Sequence, residues 1–375
     1  MTTNNHFPFI KGAMDVGFHG FKFSFVLNGQ VHTVVVEATV GVGDTDLGLL
    51  QTGLTRQKKQ LPYQVSIENQ RYLTGPFVNQ YARPIERLDF DRLSFAPELR
   101  ALVYTTLGLA VQQAAKTLQI SPDENGVEMG LIAALPVQVL QGPEAKGVVQ
   151  SLESWLLGAH SFTLDEQPFK VQVQSLKAMA QPLGSFFEWG LNTAGQWARS
   201  PADLKASVAV LDQGFNTLDL FHLSGGQIVR RYTGGETRGQ RRAAKAMQDL
   251  LLQRTGRRVS LYEADDYIRQ CCNGHRVELI VQGEPFDLKP LARQALDVAA
   301  GEVRTYLSQV WEDGKAFDYI LLTGGGVLAL GERIRSAYPN GILLTDPVTA
   351  NARGLAKFAQ RSGVMEPVSR PNQVA

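Results

Sequence analysis

The sequence predicts an α/β protein made of two similar halves that face each other across a cleft. Three observations predict it. Each half opens with a strand–turn–strand carrying Asp-x-Gly, at Asp15-Val16-Gly17 and at Asp212-Gln213-Gly214. In each half strands come first and amphipathic helices follow. Near the C-terminus a buried strand runs into Gly324-Gly325-Gly326. Ligands of open α/β sheets lie in the crevice beyond the strand ends, so a site belongs in that cleft.

The first half starts with strands over Ala13–Gly17, Phe21–Leu27 and Val31–Val40, separated by Gly20 and by Asn28-Gly29. Asn-Gly between apolar runs is a strong hairpin signal. Leu99, Leu102, Val103, Leu107, Ala110 and Ala114 recur at three- and four-residue steps and predict a helix with one apolar stripe. Gly130–Leu135, ending at Pro136, and Phe169–Val173 read as further strands. The second half repeats the order. Val208–Asp212 is a buried strand, and Thr217–Leu223 pairs with Gln227–Tyr232 across Ser224-Gly225-Gly226. Helices follow over Gln240–Gln253 and Pro290–Val310, and Tyr319–Leu322 is the last buried strand.

At about 150 residues per domain, 375 residues make two domains most simply, enough to bury large cores without staples. A net charge of +1 leaves no global field to recruit nucleic acid or acidic lipid, so direct binding of either is not expected. The two cysteines, Cys271 and Cys272, are adjacent, which suits neither a disulfide framework nor zinc spacing and predicts two small buried residues. The six histidines show no ligand spacing. No apolar run approaches the ~20 residues of a membrane span. The apolar patch Phe7–Ile10 follows polar residues rather than a basic segment, so a cytoplasmic location is expected. The tail Met365–Ala375 is polar and Pro-containing and reads as disordered.

The chemistry concentrates in the two turns. A Gly-containing hairpin lets backbone N–H groups approach a phosphate, Lys22 adds a point charge, and Asp15 suits Mg²⁺ directly or through water. Taken singly, Asp-x-Gly is a common capped turn. The second turn, Asp212-Gln213-Gly214-Phe215-Asn216-Thr217-Leu218-Asp219, repeats the spacing, and two such hairpins can clamp one polyphosphate. The glycines after Thr323 lie too near the C-terminus for a dinucleotide fingerprint, which follows a first strand.

Together these motifs resemble the actin, DnaK-type chaperone and sugar-kinase superfamily. Asp15 with Lys22 is similar to its first phosphate motif, Asp212–Asp219 to its second, and Thr323-Gly324-Gly325-Gly326 to its adenosine motif. Ala180-Gln181-Pro182-Leu183-Gly184-Ser185 resembles the segment entering the inter-domain connection. The run from Asp346 through Asn351 to Gly354 resembles the C-terminal signature of plasmid-segregation actins of the ParM/StbA type and their archaeal relatives.

The resemblance implies a duplicated actin-like, ribonuclease H-like fold. Domain I would hold residues 1–202 plus 350–375, and domain II residues 203–349. It implies ATP or GTP with Mg²⁺ held through water by Asp15 and Asp212. Gly17 and Lys22 would meet the β-phosphate, Gly214, Asn216 and Thr217 the β- and γ-phosphates, and Gly324, Gly325 and Gly326 the adenosine. Gln181 would orient the attacking water. Phe18 stands where actin has a serine at the γ-phosphate, and Phe215 replaces a small residue. The implied function is a filament-forming bacterial ATPase acting in plasmid segregation, with itself and a DNA-bound adaptor as partners. Its rivals are a small-molecule kinase and a monomeric ATPase of the same fold. A kinase needs a carboxylate base, and this segment offers the amide of Gln181. The basic-rich stretch from Arg230 to Arg258, with Arg238, Arg241 and Arg242 at its centre, reads first as a solvated helix face and next as a subunit contact.

Overall fold

The computed structural model describes residues 7–46, 60–85, 96–122, 126–361 and 363–366. Strands β1 (Ile10–Val16), β2 (Gly20–Leu27) and β3 (Gln30–Glu37) form an antiparallel ladder whose second turn is Asn28-Gly29, both at positive φ. β3 stops at Glu37, short of the expected Val40. Val40 instead opens β4 (Val40–Val42), which pairs with β6 (Gln70–Thr74) of the hairpin it makes with β5 (Tyr63–Ile67). After the short helix α1 (Val78–Tyr81) comes α2 (Pro97–Leu118), whose six stripe residues are all buried against the sheet, as their spacing requires. Then follow β7 (Val127–Leu135), α3 (Val137–Gln141), α4 (Ala145–Leu156), β8 (Gly158–Leu164), β9 (Gln167–Ala180) and α5 (Gln181–Gly190).

A short turn of helix, α6 (Pro201–Lys205), leads into the second half. There β10 (Ser207–Gln213) and β11 (Leu218–Ser224) repeat the opening hairpin, followed by β12 (Gln227–Ile228) and β13 (Gly234–Glu236). The expected strand Gln227–Tyr232 is cut short, and Arg230–Tyr232 form a 3-10 turn. The Thr233 hydroxyl takes the N–H of His222 at 3.1 Å, ending the ladder, and Tyr232 packs edge-on against His222 and Phe317. Helices α7 (Arg241–Thr255) and α8 (Leu261–Cys272), hairpin β14 (Glu278–Val281) and β15 (Glu284–Asp287), and α9 (Lys289–Trp311) complete that core with β16 (Tyr319–Thr323), α10 (Val327–Arg335) and β17 (Gly341–Leu343). The chain returns through α11 (Ala350–Ala359).

Among the described residues the strands make two main sheets, ordered β3-β2-β1-β7-β9-β8-β5-β6-β4 and β12-β11-β10-β16-β17. In each, the leading strand has an antiparallel neighbour on one side and a parallel one on the other: β1 lies between β2 and β7, β10 between β11 and β16. The duplicated α/β architecture is therefore present in register as well as in order. No described helix is long and apolar enough to cross a membrane. Two expectations fail locally. Met365 is buried beside Ala13, Ile132 and Leu355, because its apolar side chain caps that cluster, and Glu366 pairs with Lys11 at 2.9 Å; the rest of the tail and Met1–His6 lie outside the described residues. Cys271 is buried, but Cys272, one position round α8, is exposed.

Helices α5 and α11 cross where the two sheets meet. Phe186 of α5 packs with Val208, Val210 and Leu321 of the second sheet, whereas Leu355, Ala356 and Ala359 of α11 pack with Ala13 and Ile132 of the first. At the crossing the backbones touch. A Cβ on Gly354 would lie 1.8 Å from Gly184 O, and one on Gly184 would lie 2.1 Å from Asn351 O. Gly→Ala inside a helix ordinarily stabilises by up to about 1 kcal/mol. Gly354→Ala reverses that sign, with a loss of about 1–3 kcal/mol or more from overpacking, read by denaturant unfolding of the ligand-free protein.

Candidate functional site

Asp15 and Asp212 hold the same position in the two sheets, each the penultimate residue of its leading strand. Both are buried, at 3% and 5% exposure. Their cross-strand partners differ. Asp15 faces Lys22, whose Nζ donates to its Oδ2 at 3.1 Å. Asp212 faces Asp219, a second buried carboxylate. Burial, and next the charge of Asp15, push Asp212 up to about 6 against the pull of Asn351 and Lys22. Burial and then Asp212 push Asp219 up to about 8.

The two turns enclose one cavity of about 290 Å³. Its lining includes Asp15, Gly17, Phe18, Lys22, Gln181, Asp212, Gly214, Asn216, Thr217, Gly324 and Gly325. Every candidate residue named from the sequence except Gly326 is thus brought to one wall or another of the same space. Gly324 sits at φ +86°, and a Cβ there would meet Asp212 Oδ1 at 2.4 Å. Gly326 is pressed against Gln213, to whose carbonyl its N–H donates at 2.7 Å, so it joins α10 to β10 and lies outside the lining. Phe18 and Phe215 both line the space. Phe215 turns toward His19 and Tyr262, with ring centroids 5.5 and 6.0 Å away.

Gln181 is the first residue of α5, and its Nε2 donates to Asp15 Oδ1 at 2.7 Å and to Val16 O at 3.2 Å. Asn351, to which the sequence reading gave no role, donates from Nδ2 to Asp212 Oδ2 at 2.6 Å. Arg269, Glu37 and Pro136 also line the cavity. Arg269 is anchored by Asp265, one helical turn earlier, through Nε at 2.6 Å. No helix was expected over this segment, and the i,i+4 spacing of Asp265 and Arg269 is the signal that could have found it. His19 lines the space too, and burial, then Arg269 and Lys22, hold its ring neutral. Of the central basic residues, Arg238 lies over the Tyr306 ring at 5.3 Å and Arg241 reaches Asn216 Oδ1 at 3.4 Å, while Arg242 is exposed beside Glu302.

A cavity flanked by two glycine turns, a lysine and two aspartates suits a polyphosphate with a divalent cation. Among the described residues no group of three or more His, Cys, Asp or Glu could hold a metal alone. Two carboxylates completed by water and phosphate oxygens is nevertheless a usual arrangement for Mg²⁺, and the raised Asp212 is a carboxyl whose ionised form a cation would favour.

Two family models match the chain: "Actin like proteins N terminal domain" over residues 13–184, and "Archaeal actin homologue MreB-like, C-terminal" over residues 210–336. No curated protein matches. Among solved structures, the apo ParM protein of pSK41 is 16% identical, with 94% of this chain and 97% of that chain covered and a TM-score of 0.65. An archaeal actin homologue in complex with ADP is 16% identical, covering 94% of this chain and 100% of that one at a TM-score of 0.68. A 15-stranded ParM filament from Clostridium botulinum is 17% identical, covering 94% and 99% at a TM-score of 0.68.

The buried Asp219 makes a measurable prediction. Its Oδ1 accepts the N–H of Val137 at 3.1 Å, and its Oδ2 has no hydrogen-bond partner. A carboxyl raised in the folded state stabilises fully below its unfolded value near 4 and loses that contribution as pH rises toward 8. Without nucleotide, wild-type stability should fall between pH 5 and pH 8 by more than about 1 kcal/mol relative to Asp219→Asn, measured by urea unfolding at both pH values.

Proposed function

We propose that this chain, which belongs to the actin-like proteins, is a nucleotide-dependent, filament-forming ATPase of the cytoplasm that segregates plasmid DNA through an adaptor protein. The single observation that supports the reading is the pair of matched turns, one from each sheet, whose aspartates face one cavity. A filament of the similar ParM from Clostridium botulinum supports self-association as the readout. The domain division follows the same reading: residues 1–202 with 350–375 around the first sheet, and 203–349 around the second.

In this proposal the nucleotide is ATP, with GTP as the alternative, and it bridges the turns. Backbone N–H groups around Gly17 and Gly214 and the Thr217 hydroxyl bind the phosphates. Lys22 supplies positive charge at the β-phosphate, and Asn216 closes the second turn. Gly324 and Gly325 offer bare backbone to the adenosine. Asp15 and Asp212 would hold Mg²⁺ through its water shell, and the ion would neutralise charge building on the phosphates. Gln181 is the candidate to orient the attacking water through Oε1 while its Nε2 steadies Asp15. A ligand that touches both turns stabilises a closed cleft over an open one, and differential contact of that kind is what lets nucleotide drive assembly. Arg242, exposed on α7, is the candidate surface residue for subunit contact.

Two outcomes test the reading. Purified wild type should scatter light with ATP and Mg²⁺ and lose the signal as ATP is consumed; turnover without any scattering would favour a kinase or a monomeric ATPase. Asp15→Ala or Asp212→Ala should abolish Mg²⁺-dependent phosphate release with the fold retained by circular dichroism. Gln181→Ala should slow release by about 10²–10⁴-fold with nucleotide binding in EDTA retained, the range for losing a positioning or general-base group.

A further inference from the structure

One helix touches both halves of the carboxylate pair. Gln181 and Ser185 are four residues apart on α5 and so project from one face. Gln181 holds Asp15 directly at 2.7 Å. The Ser185 hydroxyl donates to Asn351 Oδ1 at 2.7 Å, and Asn351 Nδ2 donates to Asp212 Oδ2 at 2.6 Å. Ser185 Oγ also lies 2.8 Å from Thr323 Oγ1, which itself donates to Pro347 O at 3.1 Å. Ser185 and Thr323 are fully buried and Asn351 is 5% exposed, so water does not compete for these bonds.

We infer that Gln181 and the Ser185–Asn351 relay are positioning residues through which α5 sets the separation of Asp15 and Asp212, and hence the affinity for a divalent cation bound with the nucleotide. The inference rests on the nucleotide reading above. It assigns to Ser185 and Asn351 a role played through bonds to other side chains: Asn351 Nδ2 donates to the Asp212 carboxylate, and Asn351 Oδ1 accepts from Ser185. Orientation of a cation's carboxylate by an outer hydrogen bond is a general device whose loss typically costs about 10–100-fold in metal affinity or activity. The anchorage is stiff because α5 cannot slide on α11: Gly184 and Gly354 meet backbone to backbone beside the relay. A shift of one carboxylate therefore moves the other or strains the crossing.

The test is titration of a fluorescent ATP analogue into wild type, Ser185→Ala and Asn351→Ala, each in Mg²⁺ and in EDTA. Ser185→Ala removes one oxygen and adds no volume, so it keeps the test open where Asn351→Ala fails to fold; ligand-free thermal melting reports which variants are folded. Wild type should bind more tightly in Mg²⁺ than in EDTA. Folded variants should lose about 10–100-fold of affinity in Mg²⁺ while the EDTA value stays unchanged. Wild-type Mg²⁺ enhancement in Ser185→Ala, or equal weakening in both buffers, overturns the positioning role and leaves the nucleotide reading standing. Absence of nucleotide binding by wild type overturns both.

Discussion

The structure depends on keeping two carboxylates, Asp15 and Asp212, close together and out of water. Like charges in a low-dielectric site repel strongly, and each also loses its hydration. The surrounding residues offset this with donors: Lys22 and Gln181 on Asp15, Asn351 on Asp212. The residual cost shows in the raised Asp212. A site that tolerates such a pair is prepared for a positive charge between or beside them. That requirement accounts for the glycine that lets β16 end against Asp212, for Gln181 at the start of α5, and for Asn351 in the first turn of α11.

The two halves repeat a backbone but not a charge pattern. At the same cross-strand position the first sheet has Lys22 and the second has Asp219. Lys22 reaches into the cavity and neutralises its aspartate. Asp219 points the other way in function: it bonds Val137 at the start of α3, just after Pro136 in the cavity wall, and so ties the second sheet to the first half. One duplicated position thus carries a cavity-facing cation in one copy and an inter-half fastener in the other. The fastener accepts a single N–H, so it stays bonded whether the carboxyl is protonated or not.

The parts legible in the sequence were those with local signatures. Strand–turn–strand with Asp-x-Gly, an alanine- and leucine-rich helical stripe, and a strand ending in glycines each announce themselves within ten residues or so, and all lie where expected. The site's supporting bonds are not local. Gln181 meets Asp15 across 166 positions, Asn351 meets Asp212 across 139, and Ser185 meets Thr323 across 138. No window of sequence contains both ends of such a bond. Gly326 illustrates the converse. Its motif is plain, yet within Gly324-Gly325-Gly326 packing against Gln213 takes the third glycine away from the cavity. The truncated β12 and the exposed Cys272 likewise turn on tertiary contacts, a threonine hydroxyl in the ladder and one step of helix phase, that composition does not carry.

The distribution of bonds across the cleft says where it can move. At its floor the halves are joined by short, buried bonds, α11 to β10 through Asn351 and α3 to β11 through Asp219, beside the Gln181 bond that ties α5 to β1 within the first half. Away from the floor, the first turn meets α8 through His19 Nδ1 and Asp265 Oδ2 at 4.0 Å. With the His19 ring held neutral, that approach is not an ion pair. His19, Glu37 and Arg269 also line the adjoining cavity of about 700 Å³ beyond the turn. The bonds between the halves are thus short and buried at the floor and weaker further out. In the nucleotide reading proposed above, a ligand spanning the two turns would bridge the halves where they are held least, while the glycine backbones in contact at the α5–α11 crossing hold the floor fixed.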